Sequence, residues 1–258
     1  MQAPCLYAVI QYDGRDFAGW QRQPSDRTVQ AEVEGVLERL DGRPVMVRAA
    51  GRTDAGVHAL GQVVSFRPHR RWDLRDLLHG VRSLLPPDIW VSRLGRAPVG
   101  FDARRHAMER RYRYVVGWDP AAFSPFRAPY EWALTQRLDP DALRGCAQAL
   151  LGRHDFRGYS AVGQKKSHYR CDVTCSRWDA RGDAEGFIFT IEADRFLHRM
   201  VRFVVGTMVD VARGRRPLDD VRRVLQSRSN RDASAPAPPH GLYLVGVRYS
   251  QLEEGYDR

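Results

Sequence analysis

The chain has 258 residues, of which 43% are hydrophobic, enough to bury the core of one large domain or of two smaller ones. Its 41 Lys and Arg residues exceed its 31 Asp and Glu residues, which gives a formal net charge of +10, and most of the basic residues are arginine. Because the planar guanidinium binds phosphate and stacks on bases, this excess favours a nucleic-acid partner over a merely solvated basic surface.

The composition also bears on the compartment. No apolar run approaches the roughly 20 residues that cross a bilayer, and the first residues lack the charged and apolar regions of a signal peptide. We therefore expect a cytoplasmic protein without a membrane partner. The scattered Cys5, Cys146, Cys171 and Cys175 favour reduced thiols. Cys171 and Cys175 are four apart in a strand-like run, so we expect them on one sheet face as small buried hydrophobes rather than as zinc ligands.

The first hundred residues predict the element order β-α-β-β-α-β. Thr28 and Asp73 are the expected N-caps of the two helices, and Pro86 and Pro87 end the second helix. The strand-like runs are 6–12, 45–50, 62–66 and 89–94. This order is typical of the ferredoxin-like split β-α-β fold.

A loop at 13–23 interrupts the pattern after the first strand. It mixes glycines with Phe17 and Trp20 among Arg and Gln residues. Exposed aromatics in such a setting would contact a ligand, whereas Trp20 could equally fill the edge of the core. The sequence leaves both readings open.

The connection 51–60 carries an acid, a base and an imidazole between two strand-like runs. Gly51 and Gly56 permit close approaches, so Asp54 can be presented at the tip of a tight turn, as reactive carboxylates often are. The run Gly-x-x-x-x-Gly is not followed by the Lys-Ser/Thr of a P-loop. Two alternatives remain: a structural turn capped by Asp54, and a metal site using Asp54 and His58, for which no further ligand has recognisable spacing.

The second part of the chain repeats the element order. It predicts strands at 112–116, 167–178, 186–193 and 242–249, and helices after Asp139, at 196–213 and at 218–226. We therefore expect an α+β protein with two tandem ferredoxin-like halves, 1–100 and 101–258. Their antiparallel sheets would leave a cleft between them that suits a nucleic acid.

Two basic segments support the prediction of a nucleic-acid partner. The run 101–114 is dense in arginine and ends in Tyr112 and Tyr114, two apart on one face of a strand, which pairs phosphate anchors with a stacking surface. The loop 155–167 contains Lys165 and Lys166 and is interpreted as a mobile phosphate-binding arm or simply as a surface loop.

One arginine lies on an apolar helix. Arg202 follows the run that begins at Phe196, among residues that the helical period buries. A buried arginine needs an anionic partner, and Asp54 is the acid that the rest of the chain leaves unexplained.

Several of these motifs together resemble the TruA-type tRNA pseudouridine synthases, and they occur in the family's order across nearly the whole chain. They include Tyr12-Asp13-Gly14, Gly19-Trp20-Gln21, Thr28-Val29-Gln30, the run from Gly51 to Ala59, Leu85-Pro86-Pro87-Asp88-Ile89, Phe101 with Ala103-Arg104, Arg111-Tyr112-Arg113-Tyr114, the run from Phe196 to Arg202, and Gly241-Leu242-Tyr243-Leu244.

The resemblance implies an isomerase that converts uridine to pseudouridine at positions 38, 39 and 40 of the tRNA anticodon stem-loop. It implies a homodimer, with no cofactor and no metal. Asp54 matches the catalytic nucleophile, Tyr112 the tyrosine that stacks on the substrate base, and Arg202 the ion-pair partner of the aspartate. The expected tRNA-binding residues are Tyr112, Arg52, Phe101, Asp102, Ala103, Arg104, Arg105, Ala161, Lys165 and Lys166.

The chain departs from the family pattern at two places. Asp102 stands where a histidine is common, and Arg105-His106 where Phe-Ser is. These departures lie among the expected tRNA contacts and leave the residues expected to carry out the reaction unchanged. The competing hypotheses are a non-catalytic module that binds structured RNA, and a metal-dependent nuclease, which needs clustered carboxylates that the sequence does not show.

Overall fold

The computed structural model describes residues 4–161, 168–182 and 184–252. The chain divides into two compact units. The first consists of the chain up to Met108 together with the chain from Tyr243 onward, and the second of Glu109–Leu242. The protein is α+β, and most of its strand pairs are antiparallel.

The strands of the described chain are β1 (Leu6–Tyr12), β2 (Arg48–Ala49), β3 (His58–Phe66), β4 (Ile89–Arg96), β5 (Glu109–Gly117), β6 (Trp132–Ala133), β7 (Gly152–Asp155), β8 (Arg170–Ala180), β9 (Gly186–Ala193) and β10 (Leu242–Arg248). The helices are α1 (Val29–Asp41), α2 (Leu74–Leu84), α3 (Pro140–Gln148), α4 (Met200–Ala212) and α5 (Asp220–Gln226). No helix among these described residues is long and apolar enough to cross a membrane.

In the first unit, β1 lies between β3 and β4 and is antiparallel to both. β3 also pairs with β2 in antiparallel fashion, and at His58 and Ala59 it pairs in parallel with β10. The order β-α-β-β-α-β is thus present, and the last strand of the chain joins this unit through β3.

The core of the first unit explains why β3 is so well anchored. Alternate residues of β1 are buried, as expected for a strand with one face against helices. Eight of the nine positions of β3 are buried, so this strand is covered on both faces. Large buried side chains such as Ile10 and Leu77 fill the space between the strands and the helices. A loop attached to β3 therefore starts from a rigid support.

In the second unit, β9 lies between β5 and β8, and β7 pairs with β8, all antiparallel. β6 adds a short parallel pair to β5. Eleven residues of α4 are buried, which fits its strongly apolar sequence. At Gly206 of α4 an added Cβ would lie 2.1 Å from the Ala235 carbonyl oxygen, so the segment that follows α5 crosses the helix in close contact.

The helix caps were predicted correctly, because capping is local chemistry. The Thr28 hydroxyl accepts the Ala31 N–H at 3.4 Å. The carboxylate of Asp73 accepts two amides of the first turn of α2, and that of Asp139 does the same in α3.

Other boundaries differ from the prediction. The run 45–50 yields only the two residues of β2, and the Val47 N–H instead donates to the buried Glu34 carboxylate at 3.0 Å. β3 begins at His58, four residues earlier than expected. α4 begins at Met200 rather than Phe196, because Arg199 takes a left-handed backbone conformation with φ 59°.

The four cysteines are free thiols. Cys171 is buried, but Cys175 is only half-buried, and its Sγ accepts a hydrogen bond from Arg177 at 3.3 Å. A register shift between Val173 and Cys175 moves the alternation of buried and exposed side chains along β8 by one residue, so that Ser176 is buried instead of Cys175. The expectation that both thiols share one buried face was therefore wrong.

Candidate active site

The Asp54 loop, residues 51–57, connects β2 to β3. At its start the Ala50 N–H donates to the Val63 carbonyl at 2.8 Å, and the side-chain amide of Gln62 donates to the Gly51 carbonyl at 2.7 Å. Gln62 is fully buried. The loop thus leaves the sheet at a fixed point.

The loop ends in a β-turn. The Val57 N–H donates to the Asp54 carbonyl at 3.2 Å, and Gly56 has φ 76° at the third position of the turn, where glycine is favoured. Asp54 is consequently the first residue of the turn, whereas Ala55 and Gly56 form the tip that we had expected Asp54 to occupy. Asp54 is half-buried, not sealed in the interior.

The 13–23 loop packs against the Asp54 loop. The Trp20 N–H donates to the Thr53 carbonyl at 3.1 Å, and the Gly56 N–H donates to the Phe17 carbonyl at 3.4 Å. The hydroxyls of Tyr12 and Thr53 share a hydrogen bond of 2.8 Å. These contacts hold both ends of the Thr53–Gly56 segment.

The aromatic residues of the 13–23 loop belong to the core. Trp20 is 2% exposed, and Phe17 is buried beneath the Arg27 guanidinium, which lies 4.2 Å from its ring centroid. Of the two readings that the sequence allowed, the structure supports the one in which Trp20 fills the edge of the core.

Two glycines make the contact between the loops possible. A Cβ added at Gly14 would lie 2.1 Å from the Val57 carbonyl oxygen. At Gly19, which has φ 98°, it would lie 2.7 Å from the Thr53 carbonyl oxygen. Any larger residue would push the loops apart, so these glycines are required by close approach as well as by conformation.

His58 holds the C-terminal end of the Asp54 loop in place. Its Nδ1 accepts the Gly14 N–H at 3.0 Å, and its ring stacks on Tyr243 with 4.8 Å between the centroids. Because Nδ1 acts as an acceptor, it carries no proton in this arrangement, although Asp13 Oδ1 lies 3.3 Å away. The Nδ1 lone pair is engaged by the Gly14 amide, which argues against its use as a metal ligand. Among the residues that the structure describes, no group of three or more His, Cys, Asp or Glu side chains has metal-binding geometry.

The Asp102 turn, residues 101–106, is a second ordered feature of the first unit. Oδ1 of Asp102 accepts the N–H groups of Arg104 and Arg105 at 2.9 and 3.0 Å. Phe101 and Ala103 are buried. The Ala103 N–H donates to Ser65, and the Ala103 carbonyl accepts the Tyr249 hydroxyl at 2.6 Å.

The Asp102 turn contains the residues that depart from the family pattern, and these residues contact one another. The Asp102 N–H donates to His106 Nδ1 at 3.0 Å, and the His106 ring stacks on Phe101 with 5.7 Å between the centroids. Asp102 and His106 therefore support each other. The exposed side chains of the turn are Arg104 and Arg105.

Exposed arginines also lie beside the Asp102 turn and within the Asp54 loop. Arg48 is 73% exposed, with Nη1 3.7 Å from the Asp102 carboxylate, which places it beside the turn. Arg52 precedes Thr53 in the Asp54 loop and is also exposed. The first unit thus presents guanidinium groups from both features that the sequence singled out.

In the second unit, β5 carries the predicted tyrosines on one face, as expected. Tyr112 is 7% exposed, and its ring meets Phe196 edge-on with 4.9 Å between the centroids. Tyr114 is fully buried, and its hydroxyl donates to the Pro238 carbonyl at 2.8 Å. Burial raises the pKa of Tyr114 well above its ordinary value, although the positive Arg202 lowers it in part. Tyr114 therefore cannot join Tyr112 in a stacking surface for bases.

Arg202 is half-buried on the first turn of α4. Its Nε donates to the Ala237 carbonyl at 2.7 Å, and its own carbonyl accepts the Ala237 N–H at 2.9 Å. This reciprocal contact fixes the guanidinium on one side. The pairing of Arg202 with Asp54 stays a prediction.

The remaining predicted residues lie in or beside the 155–167 loop. Ala161 is half-buried, and its N–H donates to the His198 carbonyl at 3.0 Å. Lys165 and Lys166 lie outside the described residues.

Sequence reasoning missed the supporting parts played by Tyr12, Thr53 and Gly14. The signal was present in the unusual density of glycine around Phe17 and Trp20, but nothing local connected it to Asp54.

Comparison with known proteins identifies the family. The model of the tRNA pseudouridine synthase family matches residues 8–104 and 146–250. The chain belongs to this family. The prediction of a pseudouridine-forming isomerase family is thus confirmed.

Individual relatives agree with this assignment. The tRNA pseudouridine synthase A of Methylobacterium nodulans is 41% identical over 253 residues, which cover 96% of this chain and 97% of that protein. That of Myxococcus xanthus is 40% identical over 247 residues, covering 95% and 92%. Among solved structures, a dye-decolorizing protein from V. cholerae aligns with 84% of this chain and 88% of its own, at 12% identity and a TM-score of 0.21, too low for any inference.

Proposed function

We propose that this protein isomerises uridine to pseudouridine at positions 38, 39 and 40 of the tRNA anticodon stem-loop. We propose further that it works in the cytoplasm as a homodimer, without cofactor or metal. The observation that carries the proposal is the geometry of the Asp54 loop. In this chain of the family, the half-buried Asp54 directly follows Thr53, whose carbonyl and hydroxyl are both hydrogen-bonded.

The reaction needs no redox partner. The bond from uracil N1 to ribose C1′ breaks, the base turns, and a bond from C5 to C1′ forms; C5 loses a proton and N1 gains one. A carboxylate suits this sequence because it can add to carbon and then leave. Asp54 would attack uracil C6 or ribose C1′, or assist elimination to a glycal.

Arg202 is the proposed partner that keeps Asp54 ionised. Desolvation alone disfavours a charged carboxylate, and a nearby guanidinium offsets that effect. The contact of Arg202 Nε with the Ala237 carbonyl supports this role, since it gives the guanidinium a defined place on the first turn of α4.

The target base must leave its stack before the carboxylate can reach it. We propose that Tyr112 then contacts the flipped uracil. Its ring is held edge-on by Phe196, which limits its motion. In the free protein Tyr112 is almost covered, so contact with the base requires the local surface to open.

tRNA recognition is assigned to shape and phosphate contacts, as is usual for structured RNA. Arg52, Arg104 and Arg105 supply exposed guanidinium groups. Phe101, Asp102 and Ala103 act by holding the turn, as their burial and hydrogen bonds indicate. Ala161 with Lys165 and Lys166 is the proposed second contact region.

We also propose that the chain contains two tandem ferredoxin-like halves, as expected from the sequence, with residues 1–100 carrying the catalytic loop and 101–258 completing the tRNA cleft. The first unit supports this: β1 is central between β3 and β4, and two helices alternate with the strands in the required order.

The test uses tRNA transcripts in which only one of positions 38, 39 and 40 carries 5-tritiated uridine. We expect tritium release from each, together with pseudouridine at the labelled position. Binding without tritium release would favour the RNA-binding module instead. Cleaved RNA that is protected by a chelator would favour the nuclease.

A further inference from the structure

We infer that the hydrogen bond between the Tyr12 and Thr53 hydroxyls is a positioning device for the Asp54 carboxylate, an inference that rests on the proposed function. Tyr12 would act through Thr53, not on the substrate. Its task is to limit the movement of the residue directly before the nucleophile.

Tyr12 is held firmly enough for this task. It is the last residue of β1 and pairs with Ala59 of β3 on one side and with Ile89 of β4 on the other. Its side chain is buried beside Trp20, with 6.1 Å between the ring centroids. The hydroxyl therefore has a fixed position relative to the sheet.

Thr53 is held at two points. Its hydroxyl bonds to Tyr12 at 2.8 Å, and its carbonyl accepts the Trp20 N–H at 3.1 Å. The carbonyl belongs to the peptide that joins Thr53 to Asp54, so fixing it sets the plane of that peptide. The hydroxyl bond then restricts rotation about the remaining bonds of Thr53.

The loop does not need this bond in order to fold. Gln62 anchors its start at the Gly51 carbonyl, the Asp54–Val57 hydrogen bond closes its turn, and Gly14 contacts its end through His58. Loss of one hydroxyl would leave the loop in place but with more freedom at Thr53. Because a misplacement of about 1 Å can lower a rate roughly 10²-fold, such freedom affects chemistry before it affects folding.

The experiment compares Tyr12→Phe, Thr53→Val and the double variant. Phenylalanine keeps the ring against Trp20, and valine keeps the shape of threonine. We expect each single variant to lower the single-turnover rate at saturating tRNA by about 10- to 100-fold, with tRNA Kd unchanged. The double variant should be no slower than the slower single variant, because both remove the same bond.

Two controls separate positioning from general damage. Thr53→Ser restores a hydroxyl and should recover most of the rate that Thr53→Val loses. Tyr7→Phe changes a tyrosine hydroxyl on the same strand β1, away from the Asp54 loop, and should leave rate, Kd and Tm at wild-type values.

The inference is overturned if Tyr12→Phe turns over at the wild-type rate, if the losses in the two single variants multiply in the double variant, or if the rate falls only as the folded fraction falls. Failure of the proposed function looks different: Asp54→Asn would then be as active as the wild type. An inactive Asp54→Asn beside a fully active Tyr12→Phe would reject the positioning role alone.

Discussion

The first unit contains two turns built around an aspartate, and they are held in different ways. In the Asp102 turn the carboxylate itself accepts the amides of Arg104 and Arg105, so the acid is the structural element. In the Asp54 loop the Val57 N–H closes the turn on the backbone carbonyl of Asp54, and the Thr53 hydroxyl bonds to Tyr12. The Asp54 loop is thus anchored through its backbone and through the side chain of the residue before the acid.

This difference follows from what each turn is proposed to do. A nucleophile requires its position to be set within a fraction of an ångström by groups that do not react. Phosphate contacts tolerate more movement, since long arginine side chains can adjust to the backbone of the RNA. The Asp102 turn accordingly fixes the chain and leaves two guanidinium groups exposed.

Among the changes that test how the two turns are held, the largest effect on stability should come from Gly14→Ala, which disrupts the packing of the Asp54 loop directly. The added methyl would lie 2.1 Å from the Val57 carbonyl oxygen, and both groups belong to well-anchored backbone. We expect a loss of about 1–3 kcal/mol or more in the free energy of unfolding. In the molecules that remain folded, the single-turnover rate should fall by roughly 10²-fold. Urea unfolding and a single-turnover assay would measure the two effects.

Gly35→Ala is the matched control. Gly35 lies in α1, and an added Cβ there meets nothing within 4 Å. Alanine should raise the free energy of unfolding by about 0.5–1 kcal/mol and leave turnover unchanged. Equal effects at the two glycines would show that the contact between the loops has no special importance.

A smaller effect is expected from Arg104→Glu in the Asp102 turn. Reversing one exposed charge should weaken tRNA binding by about tenfold and reduce the slope of log K against log salt by about 1–2. The rate at saturating tRNA should not change, because the turn is assigned to binding. Filter binding across a salt series would provide both values.

Arg144→Glu tests whether net charge alone explains such a result. Arg144 is an exposed arginine of α3 that pairs with Asp141, and no tRNA contact is assigned to it. We expect its tRNA affinity to stay within error of the wild type. If both reversals weakened binding equally, a general attraction of the basic protein would suffice, and the Asp102 turn would lose its assigned role.

The smallest effect is expected at Arg199, at the start of α4. Its φ of 59° costs a non-glycine residue about 1–2 kcal/mol, whereas glycine loses about 0.5–1 kcal/mol through greater freedom in the unfolded chain. Arg199→Gly should therefore stabilise the protein by about 0.5 kcal/mol in urea unfolding. A clear destabilisation would mean that the arginine side chain itself supports the fold.

The features predicted from sequence were those set by neighbouring residues. Thr28, Asp73 and Asp139 cap helices through amides two or three positions away, and β1 was placed by its own alternation. The family and the aspartate motif could likewise be predicted, because the motif is a continuous run of residues in the sequence.

The features that escaped prediction depend on distant residues. The Glu34 carboxylate accepts the Val47 N–H and so shortens β2, and no local sequence pattern indicates this contact. Tyr114 looked like a stacking residue until its burial was known. The contact between Tyr12 and Thr53 spans 41 positions and rests on the pairing of three strands, so the support of the candidate site could not be read from the sequence.

The most direct measurement is the single-turnover conversion of uridine by Asp54→Asn, with tRNA binding measured in parallel. Asparagine keeps the shape of the side chain and removes the nucleophile. We predict a rate at least about 10³-fold below wild type with an unchanged Kd for tRNA, while Asp141→Asn on the exposed surface of α3 keeps the wild-type rate. A wild-type rate in Asp54→Asn would contradict the assignment of Asp54 as the catalytic residue.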